Sequence, residues 1–292
     1  MSMKIWCILL AGIVAVFTNC GTTSKRYDFT VGEDKLDAYV KVRLSQKEGE
    51  EVVTYWTGTA YAFVPQKKTE RLFDFEGYNI AKAVKSEEGY DQLAREVLLF
   101  KNHTTGEIIE SWYNPFLEDT VEVIHIWNDP ANFHLPLRLF SNGQMPIHFI
   151  PLDDNRIAMF VDAWLIFSSP LPRKDFPEYS RSDLYQAGEI FNFFIRCKDL
   201  QNSRLHSIPV EFSWVRISDF LPWMRMGDRE GYIIFSGRGH KLKGGFQALP
   251  IHIREYVLRK FPAFAKAPDT FTSPNMSSWR YFKKILQERE ID

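Results

Sequence analysis

The segment MPIHFIPLDDNRIAMFVDAWLIF, residues 145–167, holds the pattern that decides the fold. Asp153-Asp154-Asn155 is a cluster of turn formers between two apolar runs, Met145–Leu152 and Arg156–Phe167, and reads as a β-hairpin. In the second run Ile157, Met159, Val161, Ala163, Leu165 and Phe167 make one wholly apolar face. Arg156, Ala158, Phe160, Asp162, Trp164 and Ile166 make the other. A period of two with one apolar and one mixed face predicts a half-buried antiparallel strand.

The same signature recurs along the chain. Leu36–Leu44 alternates and predicts a strand, with Lys47–Glu50 as the hairpin turn into Glu51–Val64. In that run Val52, Thr54, Trp56, Gly58 and Ala60 share a face, and Gly58 marks a bend or bulge. Arg71–Val84 is a further strand. Leu93–Lys101 and Glu107–Tyr113 flank a second hairpin turn at Asn102–Gly106. Thr120–Trp127, Gly188–Cys197, Pro209–Ile217 and Gly231–Ser236 complete a set of about ten strands with no helical pattern between them. The expected fold is mainly β: a single antiparallel, barrel-like (lipocalin-like) domain over residues 35–292. Pro250–Phe261 and Ser277–Glu290 read as C-terminal α-helices that close a barrel mouth or pack on its outside.

The N-terminus reads as a targeting segment. Lys4 precedes the uncharged run Ile5–Phe17, too short for a spanning helix but suited to a secretory leader. The run ends at Phe17-Thr18-Asn19-Cys20-Gly21, which is similar to a bacterial lipobox. Residues 1–19 are therefore expected to be a lipoprotein signal peptide, Cys20 the lipid anchor and residues 20–34 a tether. An anchor at Cys20 places the protein in the cell envelope, and Gly21 after the cysteine points to the outer membrane. Cleavage before Cys20 leaves Cys197 as a lone thiol in an apolar run, so no internal disulfide forms. A net charge of −1 provides no basic face for nucleic acid.

The chemistry is densest at Trp112–Pro130. His125 is followed by Asn128 and Asp129, so a general base oriented by a carboxylate is one reading and a core histidine beside an ordinary Asn-Asp-Pro turn is the other. Phe212, Trp214 and Arg216 share a strand face, as do Glu189, Phe191 and Phe193. Charged groups among large aromatics either face solvent or line a lumen; Asp162, Arg196 and Arg216 stand under both readings. In the lumen reading Trp112, Trp164, Trp214 and Trp223 form the walls, and Asn114, His125, Asn128, Asp129 and Arg216 supply polar contacts. His125, Asp129, His134 and His148 lack metal-ligand spacing, so no metal is expected. Gly245 stands where a phosphate loop needs Lys, and no other motif asks for a cofactor.

Several blocks together resemble one family, the domain of unknown function 1838 proteins. They are Trp56–Tyr61, Arg95-Glu96, Thr105–Glu107 with Trp112–Pro115, His125–Pro130, Trp214–Ser218, Pro222–Gly227, Ala267-Pro268 and Asn275–Trp279. The resemblance implies exported proteins and brings no reaction, cofactor or catalytic set. Three functions follow as expectations. The first is a lipid-anchored binder of an apolar or amphipathic small molecule. The second is a hydrolase or isomerase using His125 and Asp129, and the third a structural or partner-binding lipoprotein.

Overall fold

The computed structural model describes residues 24–128 and 131–289. Helix α1 (Gly32–Arg43) comes first, where alternation predicts a strand. It is buried on nearly every side, through Leu36, Ala38, Tyr39, Val40, Lys41 and Val42, so its apolar positions carry no helical stripe. Its charges follow the helix dipole: Glu33 and Asp34 stand in the first turn, Lys41 and Arg43 in the last. The segment before it, read as tether, packs on the domain: Ser24 bridges Asn202, and Lys25 pairs with Asp34 and Asp37.

Three long strands follow: β1 (Val52–Phe63), β2 (Glu70–Ser86) and β3 (Gly89–Lys101). Short strands come next: β4 (Ser111–Asn114), β5 (Asp119–Glu122), β6 (Ile126–Asn128) and β7 (Phe133–Pro136). Helix α2 (Leu137–Ser141) leads to β8 (Ile147–Asp153) and β9 (Arg156–Ser168), the hairpin read at Asp153–Asn155. β10 (Leu184–Arg196), α3 (Cys197–Gln201), β11 (Glu211–Ser218) and β12 (Tyr232–Leu242) lead to α4 (Ile251–Lys260) and α5 (Ser278–Arg289). The turn at Asn102–Gly106 forms, but β4 leaves β3 after the Lys101–Ile108 bridge and pairs with β5 instead.

The main sheet is antiparallel, in the order β6-β3-β2-β1-β12-β11-β10-β9-β8, with β7 added beside β3. The mainly-β antiparallel architecture with C-terminal helices is therefore as expected. The closed barrel is not: β6 and β8 end the ladder and do not pair. The sheet is nevertheless strongly rolled. Asn128 on β6 and Glu189 on β10 line one small cavity. They stand six ladder steps apart, which in a flat sheet of about 4.8 Å spacing is roughly 29 Å.

Register assigns the faces. One row runs Ile126–Leu98–Gly77–Trp56–Gly239–Phe212–Phe193 across the concave side. The next carries Phe100–Phe75–Gly58–Gly237–Trp214–Phe191. Glycines alternate with large rings because a rolled sheet crowds its inner face. A Cβ on Gly77 would lie 3.2 Å from the Trp56 ring, and one on Gly239 only 2.6 Å from Phe212. Gly58 is no bulge: its ladder runs unbroken, the shift comes at Ala60/Tyr61, and the missing side chain admits Phe75.

The C-terminal end of α1 enters the concave side. Arg43 lies over the rings of Phe191 and Phe193. Lys241 of β12 donates to the carbonyls of Lys41 and Leu44, at 3.1 and 3.0 Å, and to Ser207 Oγ. Its amino group thus sits at the carbonyl end of the helix, where burial and then the charge of Arg43 push its pKa well down. On the convex side α4 covers β1–β3, burying Val53, Tyr78, Ile80, Val97 and Trp127. The convex side of β9 is bare, with Trp164 72% and Ile166 65% exposed.

Candidate functional site

The concave interior is solid at one end and hollow at the other. At the solid end Trp223, in the 3-10 turn Pro222–Met224, packs against Phe73, Phe100 and Trp112 at centroid distances of 5.5–6.1 Å. Asn114 is fully buried there: its amide donates to Met224 O (2.8 Å) and its Oδ1 accepts from Phe116 N. Trp112, Asn114 and Trp223, expected at a ligand, instead clamp the β4–β5 hairpin to this turn.

At the other end lies an enclosed cavity of about 140 Å³. Trp56, Leu98, Ile126, Phe191, Phe212, Trp214, Leu221 and Phe235 form its apolar wall. Its polar groups are Arg43, Thr54, Asn79, Glu96, Asn128, Glu189 and Arg216. Four of these make a rib across neighbouring strands, because Asn128 faces Glu96, Glu96 faces Asn79 and Asn79 faces Thr54 in the ladder. Of the residues expected at a ligand, the fold brings Asn128, Trp214 and Arg216 together here.

The electrostatics are uneven. Arg216 donates to Glu189 Oε1 at 2.7 Å and to the hydroxyl of Tyr185, so Glu189 is ion-paired. Among the described residues Glu96 has no such partner; it accepts one long hydrogen bond, from Asn128 Nδ2 at 3.4 Å. Burial, reinforced by the charge of Glu189, pushes its carboxyl up to about 7, with Arg216 and Arg43 pulling the other way. Trp56 and Trp214 are 7% and 8% exposed, and neither indole N–H has a hydrogen-bond partner. The Asn128 carbonyl oxygen is likewise unpaired. A cavity with unsatisfied donors and a carboxyl poised near neutrality is the arrangement of a ligand site.

A larger open groove of about 390 Å³ adjoins it, lined by Leu165, Phe167, Tyr185 and residues 274–280. Asn128, Glu189 and Arg216 line both spaces and so form the partition between them. The lead-in to α5 thus sits over the mouth, and Trp279 packs edge-on against Tyr185 at 4.8 Å. A second open cleft, on the convex side, contains Glu76, but that carboxylate is saturated by Tyr55, Lys101 and His252.

His125 is not at the cavity. It lies just before β6 at the side of β3, 5% exposed, stacked on Phe100 and edge-on to Tyr256. Its Nδ1 accepts the Phe100 backbone N–H at 3.1 Å, and burial lowers its pKa to about 4. It is a neutral core histidine. Its expected partner Asp129 lies outside the described residues, as do Cys20 and the signal peptide. Trp164 is placed outside because it faces Gly188 in the ladder, on the convex side with Asp162. Arg196 is on that side too and exposed. Cys197 is a half-buried free thiol. Among the described residues no three His, Cys, Asp or Glu side chains converge on a metal position.

Sequence reasoning missed Glu96, Arg43 and Trp56 as site residues. Glu96 sits in a strand whose neighbours Val97, Leu98, Leu99 and Phe100 are all buried, so no alternation marks its face. Its signal is membership of the Arg95-Glu96 block.

The fold and site define a mainly-β protein whose rolled antiparallel sheet encloses an aromatic pocket with titratable groups at its mouth. The chain belongs to the family described as Protein of unknown function (DUF1838), which matches residues 49–286. Every cavity residue but Arg43 lies in that span. Trp56, Glu96, Ile126, Asn128, Trp214 and Arg216 come from the blocks that carry the resemblance. No curated protein matches the chain. One solved structure, titled "Lipid-protein interactions in lipovitellin", is similar at 9% identity and a TM-score of 0.28. The match covers 80% of this chain and 27% of that one.

Proposed function

We propose that this protein binds a small amphipathic molecule in the cavity between β3, β6 and β10–β12. The observation that carries the reading is the aromatic space lined by Trp56 and Trp214, whose buried indole N–H groups have no hydrogen-bond partner among the described residues. The cavity has a volume of about 140 Å³, close to the roughly 150 Å³ of an apolar cavity that takes up benzene. The occupant is therefore about one ring in size, and a whole lipid is too large. Entry runs from the open groove past the Glu189–Arg216 pair. The test is capture: the purified protein, incubated with a small-molecule extract of envelope material, is desalted and its retained compounds are identified by mass spectrometry. Leu98→Trp, which fills the cavity from its wall, is the control. Retention by the wild type alone supports the reading, and equal retention by both, or by neither, overturns it.

Turnover of the bound molecule is a second reading, favoured by Glu96, since a carboxyl near neutrality suits general acid–base work. His125 is not among the residues that line this cavity. We also propose that Cys20 carries the lipid and holds the domain at an envelope membrane. The mass of the mature N-terminal peptide, and its change in Cys20→Ser, tests this.

A further inference from the structure

We propose that the ligand of this cavity is a small carboxylic acid, its carboxylate held by Arg43 and by the indole N–H groups of Trp56 and Trp214. This rests on the cavity being a binding site and adds the class of molecule it takes. Buried polar groups are normally paired, and those left over show what is missing. Here the unpaired groups are mainly donors. The two indole N–H groups have no acceptor, and each tryptophan is more than nine-tenths buried. Arg43 makes no ion pair among the described residues and rests only on two phenylalanine rings. Arg216 is already held by Glu189 and Tyr185. An acceptor carrying negative charge is what this set lacks, and the rings of Phe212 and Phe235 face the same space for its apolar part.

The opposite class, an organic cation caged by aromatic rings, is the competing fit. It fails on two counts. Arg43 occupies the cationic position over Phe191 and Phe193, and a cation leaves both indole N–H groups without a partner. Glu96 belongs to the acid reading through its proton. The groups facing it are Glu189 on β10, Arg216 on β11, Arg43 on α1, Asn128 on β6 and Asn79 on β2. A carboxylate brought beside Glu96 favours the protonated form of that side chain, which then donates to the ligand. Binding is thereby coupled to retention of that proton, and above about pH 7 the affinity falls by about tenfold per pH unit.

The test uses benzoate and hexanoate, their amides, and benzyltrimethylammonium, with the purified full chain and binding followed by tryptophan fluorescence and calorimetry. The expected result is binding of both acids, amides weaker by about tenfold or more, and no binding of the ammonium. Arg43→Met removes the preference for acid over amide and Arg43→Lys restores part of it, with circular dichroism confirming the fold of each. Glu96→Gln levels the pH dependence. Amides or the ammonium binding as well as the acids overturns the carboxylate assignment and leaves the cavity reading standing. Absence of any signal that Leu98→Trp abolishes, across the whole panel, overturns both.

Discussion

Replacing Glu96 by Gln removes one titration and leaves the shape of the wall unchanged. In the fold this carboxyl ionises near 7, raised from 4.5 first by burial and then by the charge of Glu189. The native state therefore holds the proton that the unfolded chain has already released. Its contribution to stability is fully present below about pH 4.5 and is lost as pH rises through about 7. At about 1.4 kcal/mol per pH unit, the loss across that window is about 3 kcal/mol. The variant carries no such loss, so its stability relative to the wild type should rise by about 3 kcal/mol across the window and then level off. Urea unfolding of both proteins, followed by tryptophan fluorescence at intervals between about pH 4.5 and about pH 8, measures this difference. Other titrating groups are common to both proteins and cancel. A difference that stays constant with pH would mean that Glu96 is solvated in the folded protein, and the electrostatic account of the cavity would fall with it.

Further outcomes follow from other parts of the molecule. His125 has its pKa lowered to about 4 by burial, so the wild type should lose stability as pH falls from about 6.5 through 4. His125→Phe abolishes that acid sensitivity, but at neutral pH it costs about 1–3 kcal/mol by orphaning the Phe100 N–H, both read by acid titration of near-UV circular dichroism. Lys241→Met removes the amino group from the last carbonyls of α1 and should destabilise by about 2 kcal/mol in denaturant melts. Gly77→Ala places a methyl against the Val97 carbonyl at 2.4 Å and the Trp56 ring at 3.2 Å, and should cost about 1–3 kcal/mol. Its binding of benzoate should weaken with it, measured by calorimetry.

The strands were legible wherever one face is wet. Residues 156–167 keep a period of two in sequence, although β9 is buried on both faces only at Ala158 and Met159 and its far end, residues 164–167, is exposed on both. The two terminal helices were legible because each buries a single stripe, as α5 does with Trp279 and Phe282. Helix α1 was not, because burial all round erases the period on which the reading relies; its charge order, acidic then basic, was the surviving signal. Alternation also fixes which residues share a face without saying which face is inside. Arg216 and Asp162 looked equivalent as lone charges among aromatics. Register separates them: Arg216 pairs with Glu189 on the concave side, and Asp162 stands opposite Ile190 on the convex one. Closure of the barrel depends on how the outer strands meet, which no single strand encodes. His125 shows the converse case. Its neighbourhood in sequence is polar, but the short strand β6 turns Ile126 and Asn128 inward, and His125, just before it, is buried between Phe100 and Tyr256.

The run of bare backbone at Gly58, Gly77, Gly237 and Gly239 carries one more consequence. These positions make room for the rings packed over them, Phe75, Trp56, Trp214 and Phe212, and the wall's polar groups sit elsewhere, on Glu96, Arg43 and the two indoles. Capacity and chemistry are thus written at separate addresses in the chain. A single methyl at any of them meets a neighbouring ring or strand, so the aromatic wall must shift while every charge keeps its place in the sequence, and the shape of the chamber can change without altering its polar groups.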